Sequence, residues 1–172
     1  RSLENGRHGL GFAKDFNSKP LPDLLQMLNE PSSERQFILY EALRKGADIQ
    51  DLYKRTHLKP WFLQQMKELV ELEEKILDYK GKDLPDALLT QAKKDGFADR
   101  YLAKLLGCSE DTIRRQRTRL GVVEGWHAVP VSGVENAAYY YSTYSAPDSV
   151  PVSDRRKIMV LGGGPNRIGQ GI

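Results

Sequence analysis

The chain has 172 residues, 40% of them hydrophobic and 28% charged, with 26 basic and 23 acidic side chains and a net charge of +3. That size leaves room for one medium domain or two small subdomains sharing a core, and the charge is too balanced to point to nucleic acid by itself. Cys108 is the single cysteine, which excludes an intrachain disulfide and suits a reducing compartment. No apolar run reaches the length of a membrane span, and no signal peptide is evident. His8, His57 and His127 are scattered, without ligand spacing to one another or to Cys108. The chain does not begin with methionine and reads as a processed product or an excised piece.

Residues 1–17 are irregular, with Gly6, Gly9 and Gly11 interrupting any helix. In 21–29, Leu21, Leu24, Leu25 and Leu28 recur at i, i+3, i+4 and i+7, which predicts a short amphipathic helix with Pro22 near its start. Pro31, Ser32 and Ser33 end it and cap a second helix that reaches Arg44, with Phe37, Ile38, Leu39 and Leu43 as its apolar content. Lys45 and Gly46 close that helix. The longest predicted helix covers 60–79. Two columns, Phe62, Leu69, Ile76 and Leu63, Val70, Leu77, with Met66 beside them, make an apolar stripe wide enough to face a core. Trp61 suits either a core anchor or an interface hot spot, and Glu68, Glu71, Glu73 and Glu74 read as the solvated face. Lys80 and Gly81 end this helix, and 84–94 is the next, with Leu84, Leu88 and Leu89 inward.

Residues 97–120 read as two short helices around a tight turn. Leu102, Leu105 and Leu106 line the first, Gly107 ends it, Ser109 caps the second, and Glu110 and Asp111 suit the positive end of its dipole. Cys108 is expected to be a core thiol beside Leu105, Leu106 and Ile113. Helix, glycine, cap and helix in this order is also the layout of a helix-turn-helix, and Thr112, Arg115 and Gln116 would serve as base contacts. A packing role competes with this. Sliding the chain back by 50 residues sets Gly96 on Gly46, Leu102 on Leu52, Lys104 on Lys54 and Ile113 on Leu63, and the earlier segment lacks the arginines of the later one. An internal duplication of a helical hairpin would explain that match.

Beyond Leu120 the texture changes. Residues 121–138 read as loop with at most a short extended piece, the tyrosine-rich run 139–144 as a packed extended segment, and 146–154 as a linker. The apolar run 157–161 has the composition of a buried parallel strand and is followed at once by glycines. Gly162, Gly163, Gly164, Asn166, Arg167 and Gly169 form the one candidate phosphate-binding loop, although the Lys-Ser/Thr of a P-loop is lacking. No residues suggest a catalytic or metal-binding set.

The stretch RRKIMVLGGGPNRIGQGI (155–172) resembles the opening of the second synthetase half in large subunits of the carbamoyl-phosphate synthase family. YYYSTY (139–144), GFADRYLAKL (96–105) and the helix that carries WFL and ELVELEEKI resemble the same subunits in the same order, and RSLENG (1–6) resembles the end of the first half. The resemblance implies a mainly α fold: a helical oligomerization or connection domain, followed by the first strand of a truncated α/β domain. The 50-residue spacing would divide the helical part into two packed subdomains, related by duplication if the match is a true repeat. It places the tail of the first synthetase half at 1–15, the connection domain at 16–151, and the linker and entry to the second half at 152–172. It implies a cytoplasmic parent that uses two ATP with Mg or Mn, bicarbonate and glutamine-derived ammonia to make carbamoyl phosphate for arginine and pyrimidine synthesis. Implied partners are other large-subunit copies, the flanking synthetase halves and a glutaminase small subunit, with no DNA and no membrane. The piece itself is expected to be non-catalytic, and the alternative is a helix-turn-helix DNA-binding regulator.

Overall fold

Prolines and glycines mark where the helices of this chain start and stop. The computed structural model describes residues 6–135, 137–150 and 152–158. Arg7–Val123 forms one unit, and the described residues from Glu124 onward belong, with Gly6, to another. In the first unit a 3-10 turn, Phe16–Ser18, precedes seven helices: α1 (Leu21–Met27), α2 (Arg35–Arg44), α3 (Ile49–Thr56), α4 (Pro60–Leu77), α5 (Asp86–Lys94), α6 (Asp99–Leu106) and α7 (Glu110–Arg119). The predicted mainly α fold is what the chain adopts. None of these helices is long and apolar enough to cross a membrane.

The 50-residue offset is carried by the backbone. α3 and α6 begin and end 50 positions apart, α4 and α7 begin 50 apart, and α2 and α5 end 50 apart. The closures correspond as well. Gly46 and Gly96 take φ of 83° and 87°, and the residues after them, Ala47 and Phe97, donate back to Ala42 and Ala92, each at 2.9 Å. This is the Schellman closure, in which a left-handed residue returns the chain onto the last turn of its helix. Buried residues pair in the same way: Leu39 with Leu89, Ala42 with Ala92, Leu52 with Leu102, and Leu63 with Ile113. The two copies build two apolar clusters, one around Leu24, Leu28, Leu39, Leu52 and Leu63, the other around Leu84, Leu89, Leu102, Leu106 and Ile113.

Helix α4 belongs to both clusters. Leu63 and Val70 sit in the first, Leu72 and Ile76 in the second, and Leu69 packs against both. The predicted stripe is therefore largely present, with two corrections. Phe62 is 57% exposed, in an edge-to-face pair with exposed Trp61, because the first turn of α4 extends past the core that Leu63 enters. Glu73, expected on the solvated face, is fully buried.

Further expectations are corrected. Cys108 is exposed, because it occupies the residue after left-handed Gly107, in the turn between α6 and α7, where its amide closes on Ala103 O at 3.0 Å. In the second unit, the short extended piece allowed for within 121–138 is β1 (Gly125–Pro130), paired antiparallel with β2 (Ala138–Thr143) in the register Trp126 to Ser142 and Val129 to Tyr139. Gly125 is required here, since a Cβ would run into the backbone of Ala146 and Pro147. His127 Nε2 lies 2.9 Å from Pro147 O, and Ser149 N donates to Trp126 O at 3.0 Å, so residues 147–149 lie along the hairpin. Tyr139, Tyr140 and Tyr141 are in β2 as an extended run, but exposed and not packed as expected. Lys157 and Ile158 are not in a strand; the rest of the predicted strand, and the loop with Gly162, Gly163, Gly164, Asn166, Arg167 and Gly169, lie outside the described residues.

Candidate functional site

A buried network of chemistry-bearing groups lies between the two halves of the helical unit. Burying a carboxylate without partners is costly, so the partners decide what such a site can do. Glu41 on α2 and Glu73 on α4 are both fully buried. Arg44, one turn beyond Glu41, joins them: its Nε donates to Glu41 at 2.9 Å and its Nη2 to Glu73, while Nη1 reaches the half-exposed Glu74. Tyr40 from α2 and Tyr101 from α6 both donate to Glu73 Oε2, at 2.8 and 2.9 Å. The backbone amide of Phe12 donates to Glu41 Oε1 at 2.6 Å, and the Arg44 guanidinium stands 4.7 Å from the centre of the Phe12 ring.

Residues 9–14 cover the network. A Cβ at Gly11 would lie between 2.5 and 2.7 Å from Glu73 Oε1, Arg44 Nη2 and the Tyr101 hydroxyl, and a Cβ at Gly9 would overlap the Tyr101 ring. The cover is held in unfavourable backbone: Phe12 and Lys14 have φ of 53° and 51°. A left-handed non-glycine residue costs about 1–3 kcal/mol, so the bonds to Phe12 have strain to offset.

Burial dominates the acid–base character of the site. It pushes the Glu73 carboxyl above the usual range, even though Arg44 and the hydrogen bonds from Tyr40, Arg44 and Tyr101 act in the opposite direction. The Tyr40 and Tyr101 hydroxyls are pushed up as well, first by burial and then by the Glu73 charge beside them. Two buried carboxylates share a single arginine, and their oxygens are already engaged by it, by the tyrosines and by an amide. Among the described residues no group of three or more His, Cys, Asp or Glu is arranged to hold a metal ion.

Sequence reasoning missed Glu73, yet the signal was present. Val70, Glu73 and Ile76 follow at i, i+3 and i+6, which sets the carboxylate on the apolar face of α4. Glu41 carried a weaker signal, because residues 38 to 43 of α2 are all buried and the helix has no polar face there.

The arginines of α7 have structural partners. Arg117 Nε donates to Asp99 Oδ2 at 2.7 Å, and Lys93 Nζ lies 2.6 Å from Asp99 Oδ1. Burial alone would raise the Asp99 carboxyl, but Lys93 and Arg117 overcome it and hold it below the usual range. Arg115 pairs with Asp111 at 2.6 Å, Arg114 with Glu110 at 3.7 Å, and Arg119 with Asp86 at 3.5 Å. Gln116, expected as a base contact, donates to Leu84 O at 2.7 Å and to Asp86 at 2.9 Å. Thr112 takes part in the cap of α7, its amide donating to Ser109 Oγ at 3.1 Å. Gln116 thus ties α7 to α5, and Arg117 ties it to the start of α6.

Fold and network together define a helical module of two related halves, whose ionic groups are used to hold it together. The family model for the carbamoyl-phosphate synthetase large chain, oligomerisation domain, matches residues 1–121. The chain belongs to that family. It is 37% identical over 179 residues to the carbamoyl phosphate synthase large chain of Archaeoglobus fulgidus, and 39% identical over 176 residues to those of Synechocystis sp. and Pseudomonas aeruginosa. Each match covers 100% of this chain and 16–17% of the relative, so the chain spans about a sixth of the length of these relatives.

Proposed function

We propose that this chain is the connection and oligomerization module of a glutamine-dependent carbamoyl-phosphate synthase large subunit. The observation that carries the reading is the family match over 1–121, which takes in the whole of α1 to α7. On this reading the parent is a cytoplasmic ATP-dependent carbon–nitrogen ligase. It makes carbamoyl phosphate from bicarbonate, glutamine-derived ammonia and two ATP, and it works with other large-subunit copies and a glutaminase small subunit. ATP and Mg or Mn are used in the synthetase halves. Gly162, Gly163, Gly164, Asn166, Arg167 and Gly169 are the entry to the second half, with no catalytic role given to them. The described helices act as a spacer and an assembly surface.

Domain limits at 1–15, 16–151 and 152–172 follow from the same reading. A DNA-binding role is disfavoured by the engagement of Gln116 and Arg117 within the helical unit. Sedimentation velocity tests the assembly role. The full-length large subunit is expected to associate reversibly as concentration rises, and substitutions on exposed positions of α1 to α7 should weaken that association. If no such substitution changed the association, assembly would have to be assigned elsewhere in the subunit.

A further inference from the structure

We propose that residues 9–14 form a strained latch, a segment that seats on the Glu41–Arg44–Glu73 network and opens as a unit of its own while α2, α4 and α6 stay folded. Opposing forces meet in this segment. Left-handed backbone at Phe12 and Lys14 favours release. The amide bond from Phe12 to Glu41, the stacking of Arg44 on the Phe12 ring and the pairing of Lys14 with Glu34 at 3.2 Å favour seating. Apolar contacts also favour seating, with Ala13 in the first cluster, Leu10 against it and Phe12 against the second, but between Gly9 and Lys14 only Gly11 and Ala13 are buried outright. Backbone strain lowers the free energy of local opening relative to that of the whole fold, and a short segment can open while the helices stay closed.

The seat is shaped for a glycine. Gly11 lies against three polar atoms from three helices, Arg44 on α2, Glu73 on α4 and Tyr101 on α6, and no side chain fits there. A seated segment therefore senses the spacing of α2 and α6 across α4. An open one leaves Glu41 without its amide donor and admits water to Glu73. The latch thus couples the path of the chain entering the helical unit to the packing between its two halves. It stands on the geometry of these residues and not on the activity of the parent enzyme.

Hydrogen exchange measured by mass spectrometry on the full-length protein tests this. The amide of Phe12, which donates to Glu41, should be protected, yet exchange faster than the amides of α2, α4 and α6. Gly11→Ala should raise exchange in 9–14 by about tenfold or more, with helix protection retained. Equal rates for the segment and the helices in the parent protein would overturn the proposal. So would an unchanged segment in Gly11→Ala, or a rise shared by the segment and all three helices. If Gly11→Ala fails to fold, Phe12→Ala decides, because it keeps the amide bond to Glu41 and every helix side chain and removes only the ring over which Arg44 stands. A rise confined to 9–14 supports the latch, and an unchanged or general rise overturns it.

Discussion

Tyr40 and Tyr101, one from each copy of the repeat, donate to the same oxygen of Glu73, at 2.8 and 2.9 Å. The hydroxyls bridge the two halves through a carboxylate that belongs to the helix between them. Tyr40→Phe and Tyr101→Phe should each destabilise the helical unit by about 1–3 kcal/mol, the range for a buried hydrogen bond to a carboxylate. Because they share an acceptor, the double variant should depart from additivity by about 0.5 kcal/mol or more. Urea unfolding of the two single variants and the double variant measures both quantities.

The pH dependence of Glu73 has a definite sign. Its carboxyl is raised in the folded protein from an ordinary value of 4.5, chiefly by burial. As pH rises past 4.5 the unfolded chain loses this proton first, so the stability contributed by the protonated form declines until the folded group has also ionised. Glu73→Gln has no proton to lose. The stability of the parent relative to Glu73→Gln should therefore fall as pH rises above 4.5 and level off beyond the raised value, as read from denaturation midpoints at a series of pH values.

Position 57 of the first copy and position 107 of the second are equivalent, and both are left-handed helix ends, with φ of 57° at His57 and 72° at Gly107. Histidine bears the steric cost that glycine avoids. His57→Gly should stabilise the protein by about 0.5–1 kcal/mol, and Gly107→His should destabilise it by about 1–2 kcal/mol. Thermal melts of the two variants should move in opposite directions.

Asp99 joins α5, α6 and α7 through Lys93 and Arg117. Asp99→Ala leaves two cations without their shared carboxylate and should cost about 3 kcal/mol. Its carboxyl is held below the ordinary 3.8, so this contribution is present above that pH and is lost as pH falls through the lowered value. Arg114→Ala and Arg115→Ala, whose i,i+4 partners are exposed, should each cost no more than about 0.5 kcal/mol. Guanidinium unfolding of the three variants separates the buried tie from the surface pairs.

Much of the helical unit was legible because its punctuation is local. Gly46, Pro60, Gly107 and Ser109 act on the residues beside them, and the 3.6-residue period shows in the leucines of α1 and α6. Misreadings arose where a residue answers to something distant in the chain. The charge of Glu73 points to the surface, although its i−3 and i+3 neighbours are Val70 and Ile76; what makes its burial tolerable is Arg44, from another helix. The apolar neighbours of Cys108 in sequence point to the core, but the reversal at Gly107 separates it from them. The short extended piece in 121–138 was legible but its pairing was not, because the partner of β1 begins eight residues beyond its end.

The passage of α4 from one apolar cluster to the other bears on how this domain was inherited. A tandem duplication begins as two units that could each be lost, copied or shuffled alone. Here the second copy has a three-helix hairpin of its own, α5 to α7, but completes its interior with Leu72 and Ile76 from the last helix of the first. A crossover near Gly81 would give the downstream half a cluster open on the side that α4 closes, and the upstream half a helix whose final turns had lost their cover. The boundary between the copies is therefore a place where the chain cannot be cut without opening a core, and the two halves fold as one.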